Sequence, residues 1–346
     1  MDFKEFANRM ETELRDILQD STGGGITVAL HSVEKMQGQS YTALTVTPEG
    51  SNIGMNVNLD ALYAQMQHGA TFDEVLDMAL DQTDTFLGEN YTVDVKSITD
   101  YEQVRPKLFV EVVDAERNAA MLGRIPHTDV EDMAMVYRLE LQQTDQGLAS
   151  VLVTNDLLNQ FGITAEQLQK DAMENSAALR PVTIRPLSEI LGAMTGMEPE
   201  DVGGSKITVV SNAEMLKGAS AIFYPGVMDQ CAEQVGGNFF MLPSSVHEVL
   251  LVPDDGQASL SDLEGMVSSI NQTEVSPADV LTDHVYHYDA QERIFERGDK
   301  FEARQAEKEM ASQERHSVMK DLMDRQKEIS LAPKVAGSRA KADLVL

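Results

Sequence analysis

The stretch ITVALHSVEKMQGQSYTALTV, residues 26–46, decides the fold class. It reads as two strands, Ile26-Thr27-Val28-Ala29-Leu30 and Tyr41-Thr42-Ala43-Leu44-Thr45-Val46, with Gln37-Gly38-Gln39 in the turn between them. Helices flank this hairpin. Upstream, Phe3, Phe6, Met10, Leu14, Ile17 and Leu18 recur at helical spacing until Ser21-Thr22-Gly23-Gly24-Gly25 stops them. Downstream, residues 59–66 read as helical. Thr71 and Glu74 then form a capping box, in which each side chain satisfies a main-chain donor of the other residue. A local hairpin set among helices is an α+β signature.

The rest of the chain continues in this manner. Residues 107–114 (KLFVEVVD), 133–141 and 150–154 read as strands, and 115–122 as a short helix ended by Gly123. Thr164 and Gln167 cap a helix running to 179. Strands are expected at 182–184, 207–210, 221–224, 238–242, 246–252 and 284–288. Helices are expected at 187–194, from Pro225 to Gly236-Gly237, and from a cap at Ser261 and Glu264 to 270. A turn-rich connection is expected at 199–205. Beyond Arg293 the charges alternate in sign, with supportive pairs such as Glu296–Lys300 and Asp321–Arg325. No unbroken heptad runs through this segment, so a coiled coil is not supported. The expected architecture is α+β, with mixed sheets, helices packed mainly on one face and an exposed C-terminal helix. The expected partition is 1–103, 104–290 and a charged helical tail, 291–346, with a disordered basic end (Lys334, Arg339, Lys341).

Composition narrows the class. At 346 residues and 42% hydrophobic content the chain can bury a core. Aromatics are scarce and 19 methionines serve as flexible filler. A single cysteine, Cys231, excludes an internal disulfide framework and a Cys-rich zinc site. Met1-Asp2-Phe3-Lys4-Glu5-Phe6 lacks the basic start and apolar run of a signal peptide, and no aliphatic stretch is long enough to span a bilayer. The expectation is a cytoplasmic protein without a membrane partner.

Charge is the strongest compositional feature. Residues 291–346 hold 12 Lys and Arg against 11 Asp and Glu, leaving 15 basic and 46 acidic residues in 1–290. A body of net charge −31 repels nucleic-acid phosphates and anionic membranes and attracts basic partners. On the helix opened by Thr71, the positions Asp73, Asp77, Asp81 and Asp84 share one face, opposite Phe72, Val75, Leu76 and Ala79. That row is the candidate interaction surface.

Catalytic signatures are weak. His247-Glu248 resembles the start of a zinc-protease motif, but position 251 is Leu where the second histidine is needed. Ser244-Ser245 lies beside His247 without the glycines of a nucleophile elbow. In Asp283-His284-Val285-Tyr286-His287-Tyr288-Asp289, strand alternation sends His284 and Tyr286 one way and His287 the other, so the histidines do not converge on one metal. Gly23-Gly24-Gly25 precedes a strand and lacks the Lys and Ser/Thr of a phosphate-binding loop. Cys231 reads as inert core. No cofactor and no metal site is expected.

Three stretches together carry a resemblance: Ile125-Pro126-His127 through Tyr137, residues 242–250 (LPSSVHEVL) and residues 281–289 (LTDHVYHYD). They resemble the bacterial family called domain of unknown function 5688, over about residues 1–290. The resemblance implies no known activity, and members often occur in anaerobes and on mobile genetic elements. The reading from residues is a non-catalytic interaction or accessory protein whose acidic body engages a protein or basic partner. The alternative is a hydrolase using His127, His247 and Glu248 with Ser244 or Ser245.

Overall fold

The computed structural model describes residues 1–51, 53–88, 98–144, 147–196, 206–243 and 245–331. The fold is α+β, with three antiparallel sheets. Ser244, the connection at 199–205 and the basic end with Lys334, Arg339 and Lys341 lie outside the described residues. Residues 1–295 form one compact unit and 296–346 a second.

The chain opens with helix α1 (Phe3–Thr22). Asp2 and Glu5 form a capping box at its start, and Gly23, at φ 73°, ends it in a conformation costly for other residues. Strands β1 (Ile26–Glu34), β2 (Ser40–Pro48) and β3 (Met55–Asn58) form the first sheet in sequence order. β1 and β2 run longer than the apolar stretches that identify them, because the unbroken ladder from Ile26↔Pro48 to Glu34↔Ser40 carries the polar residues along. Helices α2 (Leu59–Gln67) and α3 (Phe72–Gly88) follow. Phe6, Met10, Leu14 and Leu18 from α1 pack with Val28, Leu44, Val46 and Val57 from the sheet and Val75 and Ala79 from α3. The opposite sheet face stays polar, with Thr45 bonded to His31 and Asn56.

A short helix α4 (Tyr101–Val104) leads into β4 (Leu108–Asp114), α5 (Ala119–Leu122), β5 (His127–Val130), β6 (Met133–Thr144) and β7 (Gly147–Leu152). β6 is central, pairing with β4, β5 and β7, so β4 is an edge. Helices α6 (Asn155–Phe161) and α7 (Ala165–Leu179) come next, and α7 packs along β4. The third sheet contains β8 (Val182–Pro186), β9 (Thr208–Asn212), β10 (Phe239–Leu242), β11 (Val249–Pro253), β12 (Tyr286–Asp289) and β13 (Ile294–Arg297), in the order β13-β12-β10-β11-β9-β8. Helices α8 (Leu187–Thr195), α9 (Val227–Val235) and α10 (Leu260–Thr273) join these strands. The second and third sheets share a core in which Tyr137, Phe239 and Tyr286 are fully buried, each worth roughly 1.5–3 kcal/mol. The second unit carries α11 (Gly298–Leu331), a 34-residue helix on which Met310, Val318, Met319, Leu322 and Met323 are exposed.

One expected strand is not a strand. Residues 221–223 belong to a 3-10 turn, Gly218–Phe223, and Tyr224 caps its end. The apolar run looked like a strand, but Ser220 Oγ donates to Val110 O across the sheet edge (3.1 Å), and a Cβ on Gly218 would lie 2.2 Å from Ser211 Oγ. Tertiary contacts override the local preference.

The tip of the first hairpin is tied into this region. Gln37, buried and at φ 64°, accepts from the Asn118 amide through Oε1 (2.8 Å) and from Asp114 N–H (3.3 Å), and donates through Nε2 to Val280 O (3.0 Å). Its own N–H donates to Asn118 Oδ1 (2.8 Å). Gln37→Ala leaves several of these buried groups without partners. Urea titration should show a loss of about 1–3 kcal/mol, since an unsatisfied buried polar group costs that much.

Candidate functional site

The residues at 245–248 connect β10 to β11 and are held from below by the turn at 215–218. Met215 (φ 51°) and Lys217 (φ 53°) both adopt the left-handed conformation, which is costly without glycine. This backbone delivers Lys217 N–H to His247 Nδ1 (3.1 Å). Nδ1 therefore accepts, and the ring carries its proton on Nε2, which faces Asp279 Oδ1 at 3.4 Å. Ser211 Oγ donates to His247 O (2.7 Å), and Val246 N–H donates to Asp279 O (2.8 Å). Ser245 Oγ donates to Glu248 Oε1 (2.9 Å) and accepts from His247 N–H (3.0 Å). Ser245 and Glu248 are brought together, and the His247 ring is turned to other partners.

His127 stands on β5. Its Nδ1 lies 3.0 Å from Ile125 O and its Nε2 3.6 Å from Asp129. It shares no partner with His247. The Lys217 side chain reaches the other way, to Glu111 Oε1 at 2.6 Å. Glu111 is only 3% exposed, and Arg138 lies 3.3 Å from its second oxygen. A buried carboxylate between two cations is a structural pairing whose disruption is expensive. Cys231 is fully buried on α9, and burial pushes its thiol up to about 12, which removes it as a nucleophile near neutral pH.

The strand expected at 284–288 begins only at Tyr286, so His284 precedes it, yet His284 and Tyr286 still share a partner that His287 does not. Tyr286 OH donates to Asp132 Oδ1, and His284 Nε2 lies 3.7 Å from Asp132 Oδ2. His287 points elsewhere, fully buried, with Nε2 3.1 Å from Asp254. The carboxylate shared by His284 and Tyr286 opens onto a cleft of about 620 Å³ lined by Asp114, Glu116, Arg117, Asp132, Asp283 and His284. Thr282 Oγ1 adds a bond to Asp132 (3.3 Å). Burial raises the Asp114 carboxyl above its ordinary range and Asp132 pushes the same way, while the N–H and guanidinium of Arg117 oppose. Chemically, the cleft suits a cationic group. Asp114 and Asp132 escape a sequence reading because they lie at the end of β4 and in the β5–β6 turn; β4–β6 pairing sets Asp114 opposite Met133, and packing of the second sheet against the third brings both beside residue 284. Among the described residues no group of three or more His, Cys, Asp or Glu is arranged to hold a metal ion, and no helix is long and apolar enough to cross a membrane.

On α3, Asp73, Asp77, Asp81 and Asp84 are all exposed, while Phe72, Val75, Leu76, Ala79 and Thr83 are buried. Among the described residues no Lys, Arg or His pairs with any of the four aspartates.

The model of a family described as Family of unknown function (DUF5688) matches residues 3–290. No curated protein and no solved structure matches the chain.

Two outcomes test this geometry. The raised Asp114 carboxyl adds stability that is fully present below the unfolded value of about 4 and is lost as pH rises through the higher folded value. Asp114→Asn should therefore be more stable than the parent at pH 7, with the gap closing toward pH 4 in urea titrations. Cys231 should resist an aromatic disulfide reagent at pH 8 in the native protein and react quickly once urea unfolds the chain.

Proposed function

We propose that this protein, which belongs to the Family of unknown function (DUF5688), is a non-catalytic interaction protein whose acidic body engages a basic partner protein. The uncompensated row Asp73, Asp77, Asp81 and Asp84 carries this reading. Like charges four residues apart cost a helix a few tenths of a kcal/mol each. A partner presenting lysines or arginines along that face removes the repulsion and gains the attraction of the whole −31 body. The acidic cleft beside Asp132 offers a second place for a cationic side chain. On mobile elements, such a protein would act as an accessory or decoy that occupies a basic surface.

The hydrolytic alternative needs His127, His247 and Glu248 to work on Ser245. In this arrangement the free lone pair of His247 is on Nδ1, so the ring would first have to release Lys217 N–H before accepting a proton from Ser245. The geometry favours the interaction reading.

The test uses the full chain and a fluorescent lysine-rich peptide at low and high salt. Asp73→Asn, Asp77→Asn, Asp81→Asn and Asp84→Asn combined should weaken low-salt binding several-fold. A control neutralising Asp16, Asp20, Glu102 and Glu189 should weaken it less, and salt should remove most of the difference. Equal binding by the two variants would remove the basis for assigning the interaction to α3.

A further inference from the structure

Strand β1 presents an open edge. In the β1–β2 ladder Gly25 O accepts from Glu49 N–H and Lys35 N–H donates to Gln39 O, both at 2.7 Å. Antiparallel pairing alternates, so odd-numbered residues between these ends bond inward to β2. Even-numbered residues turn their N–H and C=O groups outward. The first of these positions are covered: Ile26 and Val28 are buried in the helix-packed core, and Arg15 Nη2 donates to Val28 O at 3.2 Å. The next three, Leu30, Ser32 and Glu34, have no main-chain partner on that side among the described residues. The Leu30 side chain is 38% exposed beside this edge, although Leu44, its cross-strand partner, is fully buried.

Exposed edges are normally blunted by proline, lysine or a bulge. Residues 26–34 contain neither residue type, and their register with β2 is unbroken. Lys35, the nearest lysine, folds its ammonium over the Tyr41 ring at 4.8 Å. Elsewhere in this molecule an edge is closed with care. On β4, the outward N–H of Val110 donates to Ser176 Oγ (2.9 Å) and its C=O accepts from Ser220 Oγ (3.1 Å). At the β1 edge Arg124 Nη2 pairs with the Glu34 carboxylate at 2.5 Å, but among the described residues no side chain bonds the outward N–H and C=O groups of Leu30, Ser32 and Glu34.

We propose that the outer edge of β1, at residues 29–34, is a strand-addition surface for an extended basic segment of a partner protein. Main-chain bonds to Leu30, Ser32 and Glu34 supply the pairing, and Leu30 offers an apolar contact to alternate side chains of the added strand. Charge selects the occupant. Residues 1–103 hold 18 acidic residues against 5 basic ones, so a second copy of the chain meets strong like-charge repulsion and a basic segment does not. This rests on the reading of the acidic body as a binder of basic partners, and narrows it to a geometry.

The experiment uses the full chain and a labelled six-residue peptide alternating lysine and valine. A matched peptide is N-methylated at alternate residues, keeping charge but losing main-chain donors. Ser32→Pro removes only an outward N–H and Leu30→Lys guards the edge with charge, and circular dichroism confirms that both variants are folded. The expected result is binding of the first peptide, with protection from hydrogen exchange at the amides of Leu30, Ser32 and Glu34. N-methylation or either variant should weaken binding by about tenfold or more. Equal binding of both peptides, unchanged in the variants, overturns the strand-addition site and leaves the basic-partner reading intact. Binding of neither peptide at low salt overturns both. Self-association of the parent chain abolished by Ser32→Pro assigns the edge to a second copy and overturns the proposed occupant.

Discussion

The first 295 residues depend on how one buried edge strand satisfies its main chain. β4 pairs with β6 on one side only, yet its residues are buried almost throughout. An unpaired main-chain group in that setting would cost as much as a lost hydrogen bond. Side chains from three distant segments supply the missing partners: Ser176 from α7, Ser220 from the 3-10 turn and Gln37 from the tip of the first hairpin. Each bond draws its own element against β4. Helix, turn and hairpin are thereby tied to the same strand by the same requirement.

The contrast with β1 gives that requirement functional content. Of the sheet edges in this molecule, that of β4 is closed by side chains and that of β1 is left without main-chain partners over Leu30, Ser32 and Glu34 among the described residues. Closure on β4 fixes the fold, because the groups are buried and cannot turn to water. The β1 edge lies in water, which satisfies its donors and acceptors, so leaving it open costs little stability. The acidic row on α3 belongs to the same three-helix, three-strand region and sets the sign of the field there.

The residues that look most reactive in one dimension are mainly used for holding loops. Ser245 closes its own turn, His247 receives a main-chain N–H from a left-handed lysine, and His287 is buried beside Asp254. Carboxylates predominate in the cleft, where Asp114, Asp132 and Asp283 stand with Arg117 and His284, and on α3, where four aspartates are exposed.

Sequence by itself determined the features that rest on local periodicity and charge. The α+β class, the caps at Thr71 and Thr164, the hairpin turn at residues 37–39 and the long charged helix all follow from spacing along the chain, whereas α10 is capped by Ser259, which accepts from Asp262 N–H, and not by the expected Ser261 and Glu264, because the helix already begins at Leu260. The aspartate face of α3 was legible for the same reason, since four positions within one helix define a surface without reference to anything else. Only the tertiary structure decided the rest. Residues 221–223 became part of a 3-10 turn because Gly218 and Ser220 must fit against β9 and β4. Asp114 and Asp132 became neighbours of His284 because the second sheet packs against the third, joining positions about 150 residues apart. The direction of the His247 ring was set by the backbone of Lys217, thirty residues away. Each of these depends on which distant groups must share one buried space, and that is a property of packing that no local pattern encodes.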